Sequence, residues 1–209
     1  MTKNLRFLSF FHTNKMSIQD NSNVIKIILV GNTGVGKTCL IGSYLRHKFE
    51  ENIESTLSPA YSTQPYIKTD GSKIMMQLWD TAGQEKYHAV SQLFFRNADI
   101  ALMCFTAGDK ESMESIHEWI RMVKNEAPEC ALLFVATKSD LMQKEQADSV
   151  IKDAEAEFQQ YKSHGVFLTS AKVRYNVDNV FHAAGELSEF GDASNMHEMD
   201  SIHTSKPCC

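Results

Sequence analysis

The 209-residue chain has no basic stripe, and 21 Lys and Arg against 26 Asp and Glu leave a formal net charge of −5. That balance excludes a general nucleic-acid binder. Zinc-ligand spacing is absent, and five cysteines without a signal peptide do not make a disulfide framework. Cys39, Cys104 and Cys130 lie in or beside apolar segments, while Cys208 and Cys209 end the chain, a usage that fits a reduced, cytosolic protein. No internal repeat is evident. The apolar stretch Leu5 to Phe11 is short for a signal sequence, has no small-residue cleavage site after it, and is far too short to span a bilayer. Residues 1–15 leave three readings open: an over-extended gene start ahead of Met16, a disordered arm, or a membrane-contacting segment. The length suits one domain with a proper core, flanked by flexible ends.

Val24 to Val30 is a near-continuous β-branched run, the pattern of a strand buried on both faces. A Gly-rich turn follows, then a helix from Thr38 to about His47 and an irregular polar loop over residues 48–60. Tyr61 to Lys68 and Lys73 to Trp79 flank Thr69-Asp70-Gly71-Ser72, a hairpin signal. Beyond it, the apolar runs Ile100 to Phe105, Ala131 to Val135 and, after Gly165, Val166 to Thr169 alternate with helical spacing over Glu111 to Glu126, Glu145 to Lys162 and Val177 to Glu189. Alternation of this kind predicts an α/β fold: a six-stranded, mostly parallel sheet with helices on both faces, three layers in all, the hairpin adding one antiparallel edge. We expect an N-terminal extension over residues 1–22, the domain over 23–189, and a disordered tail over 190–209.

Three motifs carry chemistry. Gly31-Asn32-Thr33-Gly34-Val35-Gly36-Lys37-Thr38 matches G-x-x-x-x-G-K-[ST] between a buried strand and a helix, the context of a phosphate-binding loop. Its glycines let several backbone N–H groups converge on one anion, aided by the helix dipole. Lys37 would neutralise the β- and γ-phosphates, and Thr38 offers a hydroxyl to Mg²⁺. Thr137-Lys138-Ser139-Asp140 follows a strand. A carboxylate is an acceptor twice over, matching the two adjacent donors of guanine, whereas adenine faces it with a lone pair. Lys138 can lay its alkyl stem along the base. Asp80-Thr81-Ala82-Gly83-Gln84-Glu85 closes a strand. There Asp80 can hold Mg²⁺ through a water, Gly83 can bring its N–H to the γ-phosphate, and Gln84 can orient an attacking water. Each motif has a plain structural alternative: a Gly-rich turn capped by Thr, a solvated turn, and a helix-capping Asp.

In order and approximate spacing, these motifs and the later Thr169-Ser170-Ala171-Lys172 resemble the Ras-like small GTPases over about residues 24–185, and the Rab branch in Gln84 to Tyr87 and Phe94 to Ala98. The resemblance implies a P-loop fold, GTP and GDP as ligands, Mg²⁺ as cofactor, and slow GTP hydrolysis as the timer of a switch in vesicle traffic. By the same resemblance Thr56 joins Mg²⁺ only in the GTP state, Phe49 stacks on guanine, and Cys39 follows the magnesium threonine. Ser170, Ala171 and Lys172 support the base. The catalytic set is then Gln84, Lys37 and Thr56, and the metal set Thr38, Thr56 and Asp80. Implied partners are an exchange factor, a GTPase-activating protein, effectors, a GDP-dissociation inhibitor and the prenylation machinery, acting on a monomer with no nucleic acid. Cys208 and Cys209 do not form a C-a-a-X box and resemble the Rab double-prenylation signal. Two lipids suit a tail whose charges are mostly acidic, and they imply the cytoplasmic face of an endomembrane with a cytosolic pool.

The chain leaves the pattern in three places. Thr137 stands for the usual Asn, Thr33 is bulkier than the residue many relatives carry beside the γ-phosphate, and Leu57-Ser58-Pro59-Ala60 follows Thr56 where Rab proteins continue with Ile-Gly. A nucleotide-locked scaffold, a P-loop ATPase or small-molecule kinase, and a Rho-like protein are the competing readings. The missing insert between Asp140 and Ser170 and the double-cysteine end oppose the last of these.

Overall fold

The computed structural model describes residues 23–49, 60–81 and 94–187. Among these residues six strands form one sheet: β1 (Asn23–Val30), β2 (Ala60–Ile67), β3 (Lys73–Asp80), β4 (Ile100–Thr106), β5 (Ala131–Thr137) and β6 (Ser163–Leu168), in spatial order β2-β3-β1-β4-β5-β6. Pairing is parallel everywhere except between β2 and β3. The helices are α1 (Lys37–Arg46), α2 (Lys110–Glu114), α3 (Ile116–Glu126), α4 (Ala147–Phe158) and α5 (Val177–Glu186).

Strand alternation sorts the core into two halves, because successive side chains point to opposite faces. Ile28, Val30, Met103, Phe105, Leu132 and Phe134 pack with Ile116, Trp119, Ile120 and Val123 of α3 and with Val150, Ala154 and Phe158 of α4. Ile27, Leu29, Leu102, Cys104, Leu133 and Val135 face Leu40 and Ile41 of α1 and Val177, Val180 and Phe181 of α5. The β-branched run of β1 is therefore buried on both sides, which only helices on both faces can achieve. The predicted three-layer α/β fold is what the chain adopts. Pro65 sits in β2, an edge strand, where a missing N–H costs least.

The helix expected over Glu145 to Lys162 is shorter, Ala147–Phe158, and two other boundaries differ from expectation for a visible reason. The helical spacing over Glu111 to Glu126 divides at Ser115, whose hydroxyl donates to Ser112 O at 2.7 Å. Such back-bonding bends helices. The last strand starts at Ser163 and runs through Gly165. Between the pairs Leu132↔Ser163 and Phe134↔Val166 two residues oppose one, a bulge. Gly165 has φ 143, and a Cβ there would lie 2.9 Å from the Phe167 ring, so only glycine fits.

Candidate nucleotide site

The motifs gather at the carboxyl ends of the parallel strands, where order reverses between β3 and β4 on either side of β1. Crevices at such points are the usual binding sites of open α/β sheets. β1 ends at Val30 and the chain turns at once through Gly31 (φ 142) into the loop that opens α1. A Cβ on Gly31 would stand 2.1 Å from Cys104 O, so the loop lies directly on β4. The ammonium of Lys37 donates to Gly31 O at 2.7 Å and Asn32 O at 2.9 Å, so the side chain spans the mouth of its own loop. Burial lowers the Lys37 pKa below the ordinary lysine value, and the charge of Asp80 opposes that shift. An anion in the loop would favour the charged form in the same way.

Asp80 ends β3 opposite Leu29 in the parallel register, and Thr81 Oγ1 ties the strand end down by donating to Leu29 O at 2.5 Å. Thr38 Oγ1 donates to Asp80 Oδ2 at 2.6 Å. Two hard oxygen donors from separate elements thus meet beside Lys37, a donor set of the kind Mg²⁺ takes when it keeps several waters. Among the described residues no group of three or more His, Cys, Asp or Glu could hold a metal, so a zinc-type centre has no counterpart there.

Thr137 closes β5 with its hydroxyl 2.5 Å from Val35 O and 2.9 Å from Phe105 O. The single hydroxyl proton bridges the phosphate loop to the strand ends, which an Asn amide in its place would do with two donors. Lys138 follows in the left-handed region (φ 59), and a Cβ on Gly36 would lie 3.9 Å from its Cε. Its alkyl stem therefore runs alongside the phosphate loop. Asp140 is exposed, with Ser170 Oγ donating to its Oδ1 at 2.5 Å. Ser170 in turn accepts from Val173 N at 3.2 Å, which fixes the hydroxyl. Ala171 is half-buried and Lys172 exposed. A carboxylate held by a buried serine keeps lone pairs on both oxygens with which to accept two adjacent donors from one planar base.

Other predicted residues stand as follows. Asn32, Gly36, Thr38 and Cys39 are half-buried, Val35 is buried, and Thr33, Gly34 and Phe49 are exposed, Phe49 beyond the end of α1. Thr56, Gly83, Gln84, Cys208 and Cys209 lie outside the described residues.

The Ras family model matches residues 26–189, most of the chain. The chain belongs to the Ras family. It is 31% identical over 172 residues to the GTP-binding protein ypt5 of Schizosaccharomyces pombe, covering 81% of this chain and 80% of that protein. It is 30% identical over 196 residues to the Ras-related protein Rab-13 of Mesocricetus auratus, covering 88% and 91%. The GTP-binding protein RHO4 of Saccharomyces cerevisiae is 34% identical over 164 residues, but only 56% of that protein is covered. Matches that run the length of Rab proteins make this Ras-family chain Rab-like.

Two supports of this Ras-family site carry no motif. Arg174, itself left-handed at φ 55, donates from Nη1 to Ser43 O on α1 at 2.7 Å and from Nη2 to Asp178 Oδ1 at 2.7 Å, clamping the Ser170 loop to the helix behind the phosphate loop. Trp119 Nε1 donates to Asn32 Oδ1 at 2.8 Å. Nothing in the sequence marks either of them.

Proposed function

We propose that this chain is a GTP-hydrolysing switch of the Rab type, with its G domain over residues 23–189, and that it acts in vesicle traffic at membranes. The hydrogen bond from Thr137 to Val35 O carries the reading, because it joins the phosphate loop and the base-reading loop into one rigid receptor. The loop N–H groups and Lys37 hold the phosphates, Asp140 selects guanine, and Lys138 covers the base. Thr38 and, through a water, Asp80 fit Mg²⁺, with Thr56 joining in the GTP state; bound there, the ion would neutralise charge on the β- and γ-phosphate oxygens. Gln84 orients the attacking water, and Gly83 and Thr56 follow the γ-phosphate, so hydrolysis releases both loops. The relatives' printed names, GTP-binding protein ypt5 and Ras-related protein Rab-13, support the same assignment.

Effectors read the loops around β2. Tyr61 there is half exposed, 4.9 Å between ring centroids from Trp79, which in turn lies 5.9 Å from Phe94. An exposed aromatic backed by packed rings is the type of anchor that carries interface energy. An exchange factor, a GTPase-activating protein, a GDP-dissociation inhibitor and the prenylation machinery complete the cycle.

The protein is expected to retain guanine nucleotide against a large excess of ATP and to turn over a single loaded GTP slowly. Displacement of GDP by ATP would overturn the reading in favour of an ATPase or kinase. In the same single-turnover assay, with an activating protein present, Thr33→Gly is expected to speed hydrolysis at least tenfold, because extra bulk at this exposed position can obstruct Gln84 or an inserted arginine, a group worth about 10³–10⁵ in rate. No gain would clear Thr33 of that role, and no hydrolysis in either form would favour a nucleotide-locked scaffold.

Anchoring rests on Cys208 and Cys209. No described helix is long and apolar enough to cross a membrane. Replacing both cysteines with Ser is expected to move a tagged protein from the membrane to the soluble fraction, since one or no lipid binds only marginally and reversibly. An unchanged distribution on cell fractionation would sink the anchor.

A further inference from the structure

The phosphate loop rests on β4 at Gly31, and it is held from the side by a residue outside its own motif. Trp119 is buried on α3 at 3% exposure, and its indole N–H reaches Asn32 Oδ1 at 2.8 Å. Asn32 then presents its backbone carbonyl to the Lys37 ammonium at 2.9 Å, which also holds Gly31 O at 2.7 Å. One chain of hydrogen bonds therefore runs from the α3 core to the cation of the loop. Asn32 also precedes Thr33, so the bond from Lys37 to the Asn32 carbonyl holds the peptide plane from which the exposed Thr33 departs.

We propose that Trp119 is a positioning residue for nucleotide retention, acting through Asn32 to set the place of Lys37. The inference rests on the reading of residues 31–38 as the phosphate loop. An indole donor suits this task. It has one proton, no acceptor to compete for it, and a large ring that the core holds still. Tying the half-buried Asn32 side chain to the core restricts the loop backbone from which it branches, and so keeps the Asn32 carbonyl within reach of Lys37. Because α3 packs in the half of the core that also contains Phe95, the bond links the phosphate loop to that half of the core.

The test is a double-substitution cycle on the full chain, read as the release rate of a fluorescent GDP chased with unlabelled GDP. Trp119→Phe keeps an aromatic ring and removes the donor; Asn32→Ala removes the acceptor. Each is expected to speed release about three- to tenfold, the range for one neutral hydrogen bond. The double variant is expected to release no faster than the faster single one. Unchanged rates, or a double variant nearer the product of the two singles, would overturn the proposal, the second result assigning Trp119 a packing role only.

Spectroscopy supplies a second readout. The chain has two tryptophans, so Trp79→Phe leaves Trp119 as the one indole emitter. In that background Asn32→Ala is expected to shift the emission maximum, and it carries the test alone should Trp119→Phe fail to fold. An unshifted maximum together with unchanged GDP release would overturn the proposal. A wild-type chain that holds neither guanine nor adenine nucleotide would instead remove the phosphate-loop reading, a result distinguishable at the first measurement.

Discussion

Asp140→Asn is expected to weaken GDP and GTP binding by about two to four orders of magnitude. The carboxylate can accept from two adjacent guanine donors, and each charge-assisted bond contributes about 1.5–3 kcal/mol. At tenfold per 1.4 kcal/mol that range gives the stated loss. The direction follows from Ser170, whose hydroxyl donates to Asp140 Oδ1 at 2.5 Å. In the Asn variant the same hydroxyl would hold the amide oxygen, which leaves the amide NH₂ facing a guanine donor. A site built for a hydrogen bond rejects a ligand that leaves its groups unpaired far more strongly than an apolar pocket rejects a misfit. The same variant should gain on xanthine nucleotides, which carry a carbonyl where guanine has its amine. Competition of GDP and xanthosine diphosphate against a fluorescent nucleotide checks both halves. An unchanged GDP affinity would remove Asp140 from base reading.

The parts of this site that were legible in the sequence are those where one residue type does one chemical job at a fixed offset. Lys37 and Thr38 follow the glycines because a curled loop must lead into a helix N-terminus, and Asp80 ends a strand because that places it opposite Leu29. The sheet was legible for a similar reason: a strand as continuously apolar as β1 needs cover on both faces. What was hidden depends on meetings that local pattern does not encode. Trp119 and Asn32 are 87 positions apart, and Arg174 and Ser43 are 131 apart, so neither pair exists until the layers pack. Trp119 read as one more apolar residue on a helical stripe, and nothing in its neighbours marks its indole as a donor with work to do. The break at Ser115 and the bulge at Gly165 were missed because both are single-residue hydrogen-bond or steric events inside segments whose periodicity is otherwise regular.

Gly31→Ala is expected to destabilise the fold and abolish tight nucleotide binding together. The added Cβ would lie 2.1 Å from Cys104 O and 3.1 Å from Cys104 C, and the backbone would hold φ 142, a region almost closed to other residues. Strain of about 1–3 kcal/mol adds to overpacking of about 1–3 kcal/mol. A fall in Tm of roughly 5–20 °C follows at about 2–4 °C per kcal/mol for a chain of this size. β4 cannot step aside, because Cys104 pairs with Val135 in the middle of the sheet and is buried among the β1 and α1 side chains. Relief must therefore come from lifting the loop, which carries away Gly31 O, one of the two carbonyls that hold Lys37. The collision is with a backbone oxygen, so it separates this cause from ordinary crowding: adding Cys104→Ala to Gly31→Ala should restore neither Tm nor GDP retention. Recovery of either in that double variant would show that the Cys104 side chain, not its carbonyl, sets the demand for glycine.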